Sequence, residues 1–291
     1  MSQITMNKIL ELYGLSTTAK VASNWRRIAT TQFCPYLERK CVKVRKSNPE
    51  QTLGTCSVSY GRQSNPIIIC PHRLLENRQV FVDCIHLLTT HEPGNQLHIV
   101  SEVAIPGGSV DYFLVSAKNS KVCDFVGIEL QTLDTTGTVW PERQRFLKRN
   151  GIRVKSKDSA GKKPFGMNWK MSAKTILVQL HHKVETFEGI NKRLVLVVQE
   201  VFLEYMRKEF KFEHLNNARI GEAMHLHAYR FNQSMQGGFH LELANRYSAD
   251  ANGLARSLGL QINAKIELDE IIKLLEGKIS RATLFPVAMS A

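Results

Sequence analysis

The sequence has no glycine-rich P-loop, so nothing in it points to nucleotide-driven chemistry. No apolar window approaches the length needed to cross a bilayer. The first residues, MSQITMNKILELYGL, lack a continuous apolar core followed by a small-residue cleavage site. A cytoplasmic protein with no membrane partner is expected. There is no internal repeat and no low-complexity tract, which argues against solenoid and linker designs. Long runs of one charge are absent too, so the charge belongs to folded surfaces and not to a disordered tail.

What is present is an ordinary globular composition with a strong basic bias. Of 291 residues, 43% are hydrophobic, enough for a full core in one large domain or a core with attached modules. Lys and Arg number 39 against 26 Asp and Glu, a net charge of +13. Such an excess suits a polyanionic partner, because each Lys or Arg set against a phosphate releases counterions. The alternative is simply a basic soluble protein.

Six cysteines in a chain expected to stay reduced point to metal before disulfides. Cys34, Cys41, Cys56 and Cys70 are separated by six, fourteen and thirteen residues, in a stretch broken by Gly and Pro. The tight C-x2-C knuckle is missing, so spacing alone is moderate support. Loop-rich chain of this kind buries little apolar surface and needs a staple, which four thiolates around one ion supply. Soft ligands admit zinc or iron and exclude Mg²⁺, and four of them leave no open catalytic position. His72 is a weaker alternative ligand. Cys84 and Cys123 sit in apolar contexts and read as small buried hydrophobes.

The stretch from Pro106 to Gln131 organises the rest. Val110–Val115 and Phe125–Leu130 read as strands, separated by the turn signal Lys118-Asn119-Ser120-Lys121. Each carries one acid, Asp111 and Glu129. Glu129 and Gln131 share a face, and an antiparallel pairing brings Asp111 to Glu129. Two carboxylates converging on one point make a hard-cation site, suited to Mg²⁺ with several waters retained.

An acid, a hairpin-length spacer, then acid-x-polar resembles the PD-(D/E)xK metallonucleases. The run GIELQTLDTTGTVWP from Gly127 to Pro141, with four cysteines upstream, is similar to the NotI-like restriction endonucleases. Val110 stands where a proline is usual, and Gln131 replaces the usual lysine, as in that branch. The resemblance implies an α/β nuclease core, a mixed central sheet flanked by helices, beside an N-terminal four-cysteine metal module. It implies a type II restriction endonuclease making Mg²⁺-dependent double-strand cuts in a GC-rich palindrome, with a GGCC core as its extension. Asp111 and Glu129 would hold Mg²⁺ with the Leu130 carbonyl, and Gln131 would orient the attacking water. Glu102 takes the place of an additional upstream carboxylate. Iron in the cysteine cluster, a homodimer and a cognate DNA methyltransferase in the same host are also implied. A non-catalytic, metal-stabilised DNA-binding protein is the alternative.

Four regions are expected: a helical lead-in over 1–33, the cysteine module over 34–72, the nuclease core over 73–200, and a mainly helical part over 201–291. Within the core, Arg73–Leu88 reads as a helix, Gln96–Ile105 as a core strand, and 132–167 as a long basic loop. Arg143, Arg145, Lys148 and Lys174 are the candidates for DNA contact. Asn168 reads as the N-cap of a helix whose apolar stripe runs Trp169, Ala173, Ile176, Leu177, Leu180 and Val184, with Lys170, Lys174 and Lys183 facing elsewhere. Leu194–Val198 reads as a fully buried strand. Helices are expected over Glu204–Phe210, Ala249–Leu258 and Glu267–Ile279. His225 and His227 share one face of a strand but lack an evident third ligand.

Overall fold

A computed structural model describes residues 8–257 apart from 19–23, 46, 107, 162, 211, 213 and 214. The helix expected over Glu267–Ile279 lies outside the described residues.

The N-terminal segment is sheet before it is helix. Strands β1 (Ile9–Leu12), β2 (Leu15–Ser16), β3 (Thr55–Tyr60) and β4 (Asn65–Ile68) form a four-stranded sheet in the order β2-β1-β3-β4. All four residues of β1 are buried, Ile9, Leu10 and Leu12 with a buried Glu11 that is paired with Arg73, and the segment is a strand where a helix was expected. Because β1 pairs with β3, one sheet runs across the expected boundary at residue 34. Helix α1 (Trp25–Thr31) follows, its Asn24 side chain accepting the Arg27 N–H. Trp25 is core, packed edge-on against Phe146 at 4.8 Å between centroids.

The centre of the fold is a seven-stranded mixed sheet. Its strands are β5 (Gln96–Ile105), β6 (Gly108–Lys118), β7 (Lys121–Gln131), β8 (Arg193–Gln199), β9 (Asn216–Asn217), β10 (Met224–Gln233) and β11 (Phe239–Ala249), in the order β9-β11-β10-β8-β7-β6-β5. β6 runs antiparallel to both β5 and β7, while β8 lies parallel to both β7 and β10. Every residue of β8 is buried, as its LVLVV run requires of a strand covered on both faces. β5 is an edge strand with exposed Leu97, Ile99 and Val100, not the core strand expected. The chain after Phe202 is also less helical than expected. The hairpin of β10 and β11 completes the sheet there, between helices α4 (Glu200–Glu209) and α5 (Ala251–Ser257).

Helix α3 (Trp169–Gly189) covers one face of the sheet, burying Ala173, Ile176, Leu177, Leu180, Val184 and Phe187. On the other face Leu74, Leu75, Val80 and Phe81 pack against Leu114, Ile128, Val195 and Val197. That second layer is not the single helix expected over Arg73–Leu88. Left-handed Asn77 and Arg78 break it into short turns, Pro71–Arg78, Gln79–Val82 and Ile85–Leu87. Fully buried Arg73 pins the first turn through Glu11 at 2.9 Å and Glu76 at 3.3 Å. Residues 132–167 are not a plain loop, since Pro141 in the first turn opens helix α2 (Trp140–Arg149). Cys84 is buried as expected, but Cys123 is exposed.

Candidate active site

Three adjacent strands bring three carboxylates to one level. The pairing of Tyr112 with Ile128 continues by one step to Asp111 opposite Glu129. On the other side of β6, the pairs Val110–Val103 and Tyr112–Ser101 frame Glu102 opposite Asp111. At Asp111 the β6–β7 ladder changes character. An Asp111 carboxylate oxygen, in place of a backbone carbonyl, accepts the Leu130 N–H at 2.9 Å. β6 therefore parts from β7 where the acids stand, and an open end of the sheet is left between them. Glu102 adopts φ +56° and is exposed. For a residue with a Cβ that conformation costs on the order of 1 kcal/mol, and such strain gathers at functional sites.

Glu129 is 6% exposed, and its Oε1 accepts a hydrogen bond from Lys183 Nζ at 2.6 Å. Lys183 Nζ also donates to the Ser109 carbonyl at 2.6 Å. Burial pushes the Glu129 carboxyl up to about 7 against the pull of Lys183, and the charge of Asp111 adds to the rise. Losing one partner of a buried pair leaves an uncompensated charge, at a cost of about 3–5 kcal/mol. The contact depends on how closely α3 approaches the sheet. A methyl added at Gly127 would meet Phe187 at 2.5 Å, so only glycine admits the helix there. Lys183 was expected to face away. It instead occupies the buried stripe, three residues after Leu180 and four before Phe187, spacing that the sequence carries openly.

Gln131 is half-buried and donates from Nε2 to the Thr132 carbonyl at 2.8 Å. His72 lies within electrostatic range of Asp111 and Glu102. Burial and, next, the Lys43 charge lower its pKa, while the two acids oppose them. Its Nδ1 is buried without a hydrogen-bond partner. The end of the cysteine region thus abuts the acids.

The family model described as restriction endonuclease NotI matches residues 21–242, which takes in the cysteines, the three carboxylates, Gln131 and Lys183. The chain belongs to the NotI restriction endonuclease family. No curated relative and no solved structure matches it. NotI-family membership points to a type II restriction endonuclease, a site-specific deoxyribonuclease that acts on double-stranded DNA. No helix among the described residues is long and apolar enough to cross a membrane.

Against the NotI-family expectation of a metal module, the cysteines are neighbours but not a finished centre. Cys34 feels the charge of Cys41, Cys56 that of Cys70 and Cys34, and Cys70 that of Cys41 and Cys34. Burial raises the pKa of Cys34 and Cys70 and drives that of Cys56 well above the usual thiol value. Yet among the described residues no group of three or more His, Cys, Asp or Glu side chains could hold a metal ion. The four-thiolate site is therefore not assembled in this structure.

Of the four expected DNA contacts, Arg143 turns inward and Arg145 is tied up by local partners at the surface. Arg143 is 5% exposed and donates to the Leu53 carbonyl at 2.7 Å, Tyr13 Oη at 2.8 Å and Gln144 Oε1 at 3.1 Å. Its guanidinium and that of Arg45 both stand over the Trp140 ring, at 4.7 and 4.6 Å. Arg145 is tied to Glu142 at 2.8 Å and to the carbonyls of Ser159 and Gly161. Lys148 and Lys174 are exposed. Sequence reading missed a cavity of about 650 Å³ whose lining includes Arg26, Arg153 and Lys155. The one acid in that lining, Asp158, is neutralised by Arg45 at 3.1 Å. Arg153 and Lys155 belong to the basic 132–167 segment, while Arg26 comes from the helix α1 region more than a hundred residues earlier.

Proposed function

We propose that this chain is a Mg²⁺-dependent restriction endonuclease whose catalytic carboxylates are Asp111 and Glu129. The observation that carries the reading is the register that sets Asp111 opposite Glu129, with the Leu130 N–H closed by the Asp111 carboxylate. Hard carboxylate oxygens suit Mg²⁺, which needs one or two of them. When bound there, Mg²⁺ would lower the pKa of the attacking water and offset charge on the pentavalent phosphate.

The chain's own residues do the rest. Asp111 and Glu129 would hold the cation, with the Leu130 carbonyl as a further oxygen donor. The Gln131 amide, its Nε2 tied to the Thr132 carbonyl, would accept a hydrogen bond from the attacking water at its oxygen and aim that water at phosphorus. The water oxygen bonds to phosphorus, the bond to the leaving sugar oxygen breaks, and that oxygen takes up a proton as the water loses one. Glu102 assists from the opposite side of Asp111. Exposed Arg26, Arg153 and Lys155, with Lys148 and Lys174, contact backbone phosphates of the duplex.

The target is a GC-rich palindrome containing GGCC. Cutting both of its strands symmetrically calls for two sites related by a two-fold axis, hence a homodimer, and a cognate methyltransferase to protect the host. Loaded with one iron or zinc ion of structural role, Cys34, Cys41, Cys56 and Cys70 would have to draw together around it, since soft thiolates fit either metal and exclude Mg²⁺. Incubation of the purified chain with phage DNA and Mg²⁺, followed by run-off sequencing of the fragments, tests the reading. Discrete ends at one recurring sequence support it. Intact DNA bound without cleavage would instead favour a DNA-binding protein with structural acids.

A further inference from the structure

We infer that Lys183 is a catalytic residue: it supplies, from helix α3, the cation that the acid-x-Gln sequence of β7 lacks, and it contacts the phosphate being cut. The inference rests on the proposed function, and it begins from a gap in that function. Glu129 and Gln131 share a face of β7, and a glutamine at the second position brings no charge to a site that must hold an anionic phosphate beside two carboxylates.

Lys183 reaches the same carboxylate by another route. Its Nζ lies 2.6 Å from Glu129 Oε1, and a second N–H is fixed on the Ser109 carbonyl at 2.6 Å. An ammonium has three donors, so one remains for a phosphate oxygen. Glu129 keeps Oε2 for a divalent cation, which leaves Lys183 and that cation on one carboxylate. The position is built and not incidental. Gly108 has φ +133°, and a methyl there would press on Lys183 Cε at 3.2 Å. Thr186, one residue short of the next turn of α3, donates to the Pro106 carbonyl at 3.0 Å and ties the helix to the entry of β6. A charge fixed in advance, where negative charge develops, stabilises the transition state without reorganisation.

The test compares the full-length wild type with Lys183→Met, Lys183→Arg and the double variant Lys183→Met/Gln131→Lys. The first readout is affinity for duplex DNA without divalent metal, over a range of salt. A lysine on phosphate adds about one to the slope of log affinity against log salt. Lys183→Met should lose that increment, and Lys183→Arg and the double variant should regain it. The second readout is single-turnover cleavage with saturating Mg²⁺. Lys183→Met should fall on the order of 100-fold or more, and a lysine placed at 131 should recover at least about 10-fold of that loss. Melting curves check folding, and Lys183→Gln replaces the Met variant if the latter does not fold. Wild-type salt slope and rate in a folded, uncharged variant would overturn the inference. So would a double variant as inactive as the single one, which would make Lys183 only a strut for Glu129. A wild type that cuts no DNA refutes the proposed function, whereas an unaffected Lys183 variant beside an active wild type refutes this inference alone.

Discussion

Asp111 stands opposite Glu129 across β6 and β7, and its carboxylate takes the place of a backbone carbonyl for the Leu130 N–H. One side chain thus has two separable jobs, closing a strand end and presenting charge. Asp111→Asn keeps an acceptor for the Leu130 N–H and removes the charge. It should fold like the wild type and lose Mg²⁺-dependent cleavage by on the order of 10²–10³ or more. Asp111→Ala and Glu129→Ala should be equally inactive. DNA affinity without metal should hold or improve in all three, because fewer carboxylates then repel phosphate. Single-turnover cleavage beside filter binding measures both, and full activity in Asp111→Asn would remove Asp111 from the mechanism.

Gln131 holds no charge, and its Nε2 is already committed to Thr132. Gln131→Ala should therefore slow cleavage less than either acid variant, by about 10-fold, with metal dependence unchanged. A magnesium titration of the rate separates the two effects. A shifted midpoint at normal maximal rate would make Gln131 a metal ligand and not a water-orienting group.

The acids were legible because their pattern is local. Alternation along two strands joined by a short turn determines which side chains share a face, and the register supplied what alternation leaves open. The cavity as a whole was not legible, since Arg26 and Arg153 line it together only once the chain has folded. Arg143 misled for a related reason. Composition shows a basic segment, but only tertiary contacts decide whether a guanidinium faces solvent or closes on Tyr13, Leu53 and Trp140. Helix α2 could have been read, since Pro141 and Glu142 open it and Lys148 and Arg149 close it. The edge character of β5 has no such local mark, because an apolar strand reads alike at the centre or the rim of a sheet.

Arg143→Ala should behave as a stability variant. It strips partners from the Leu53 carbonyl and Tyr13 Oη and empties a buried volume beside Trp140, a loss of about 2–4 kcal/mol. Urea unfolding should report that loss, while DNA affinity of the folded fraction stays within about twofold. Arg153→Ala should show the reverse, with stability unchanged within about 0.5 kcal/mol and a salt slope of DNA binding lower by about one. Exchange of these two outcomes would return DNA contact to Arg143.

The cysteine quartet predicts a defect in the fold before one in chemistry. Ser in place of Cys34, Cys41, Cys56 or Cys70 should lower bound iron or zinc toward zero and lower the melting temperature. Activity should then fall in step with the folded fraction. Elemental analysis of protein purified without a metal-binding tag is the direct measurement. A metal-free preparation that melts and cuts like the loaded one would leave the thiols as buried neighbours with no ion to hold.

His225 and His227 predict how acid unfolds the protein. Both side chains are fully buried on one face of β10, and His225 Nδ1 and His227 Nε2 have no hydrogen-bond partner. Burial is the main cause holding His225 down to about 4 and His227 down to about 3, aided for His227 by the charge of Arg246. The unfolded chain titrates these groups near 6.5, so it binds more protons than the folded chain between that value and the depressed ones. Stability therefore rises with pH across this window, is complete above about 7 and is lost as pH falls below 6.5. Each imidazole contributes a slope of roughly 1 kcal/mol per pH unit. Urea unfolding at pH 7 and pH 5 should show the wild type losing on the order of 2–4 kcal/mol over that interval. Leucine in place of either histidine removes one titrating group and should flatten the acid limb by about half, whatever it does to stability at pH 7. An acid limb equally steep in His225→Leu and His227→Leu would show that carboxylates, not this buried pair, set the acid sensitivity.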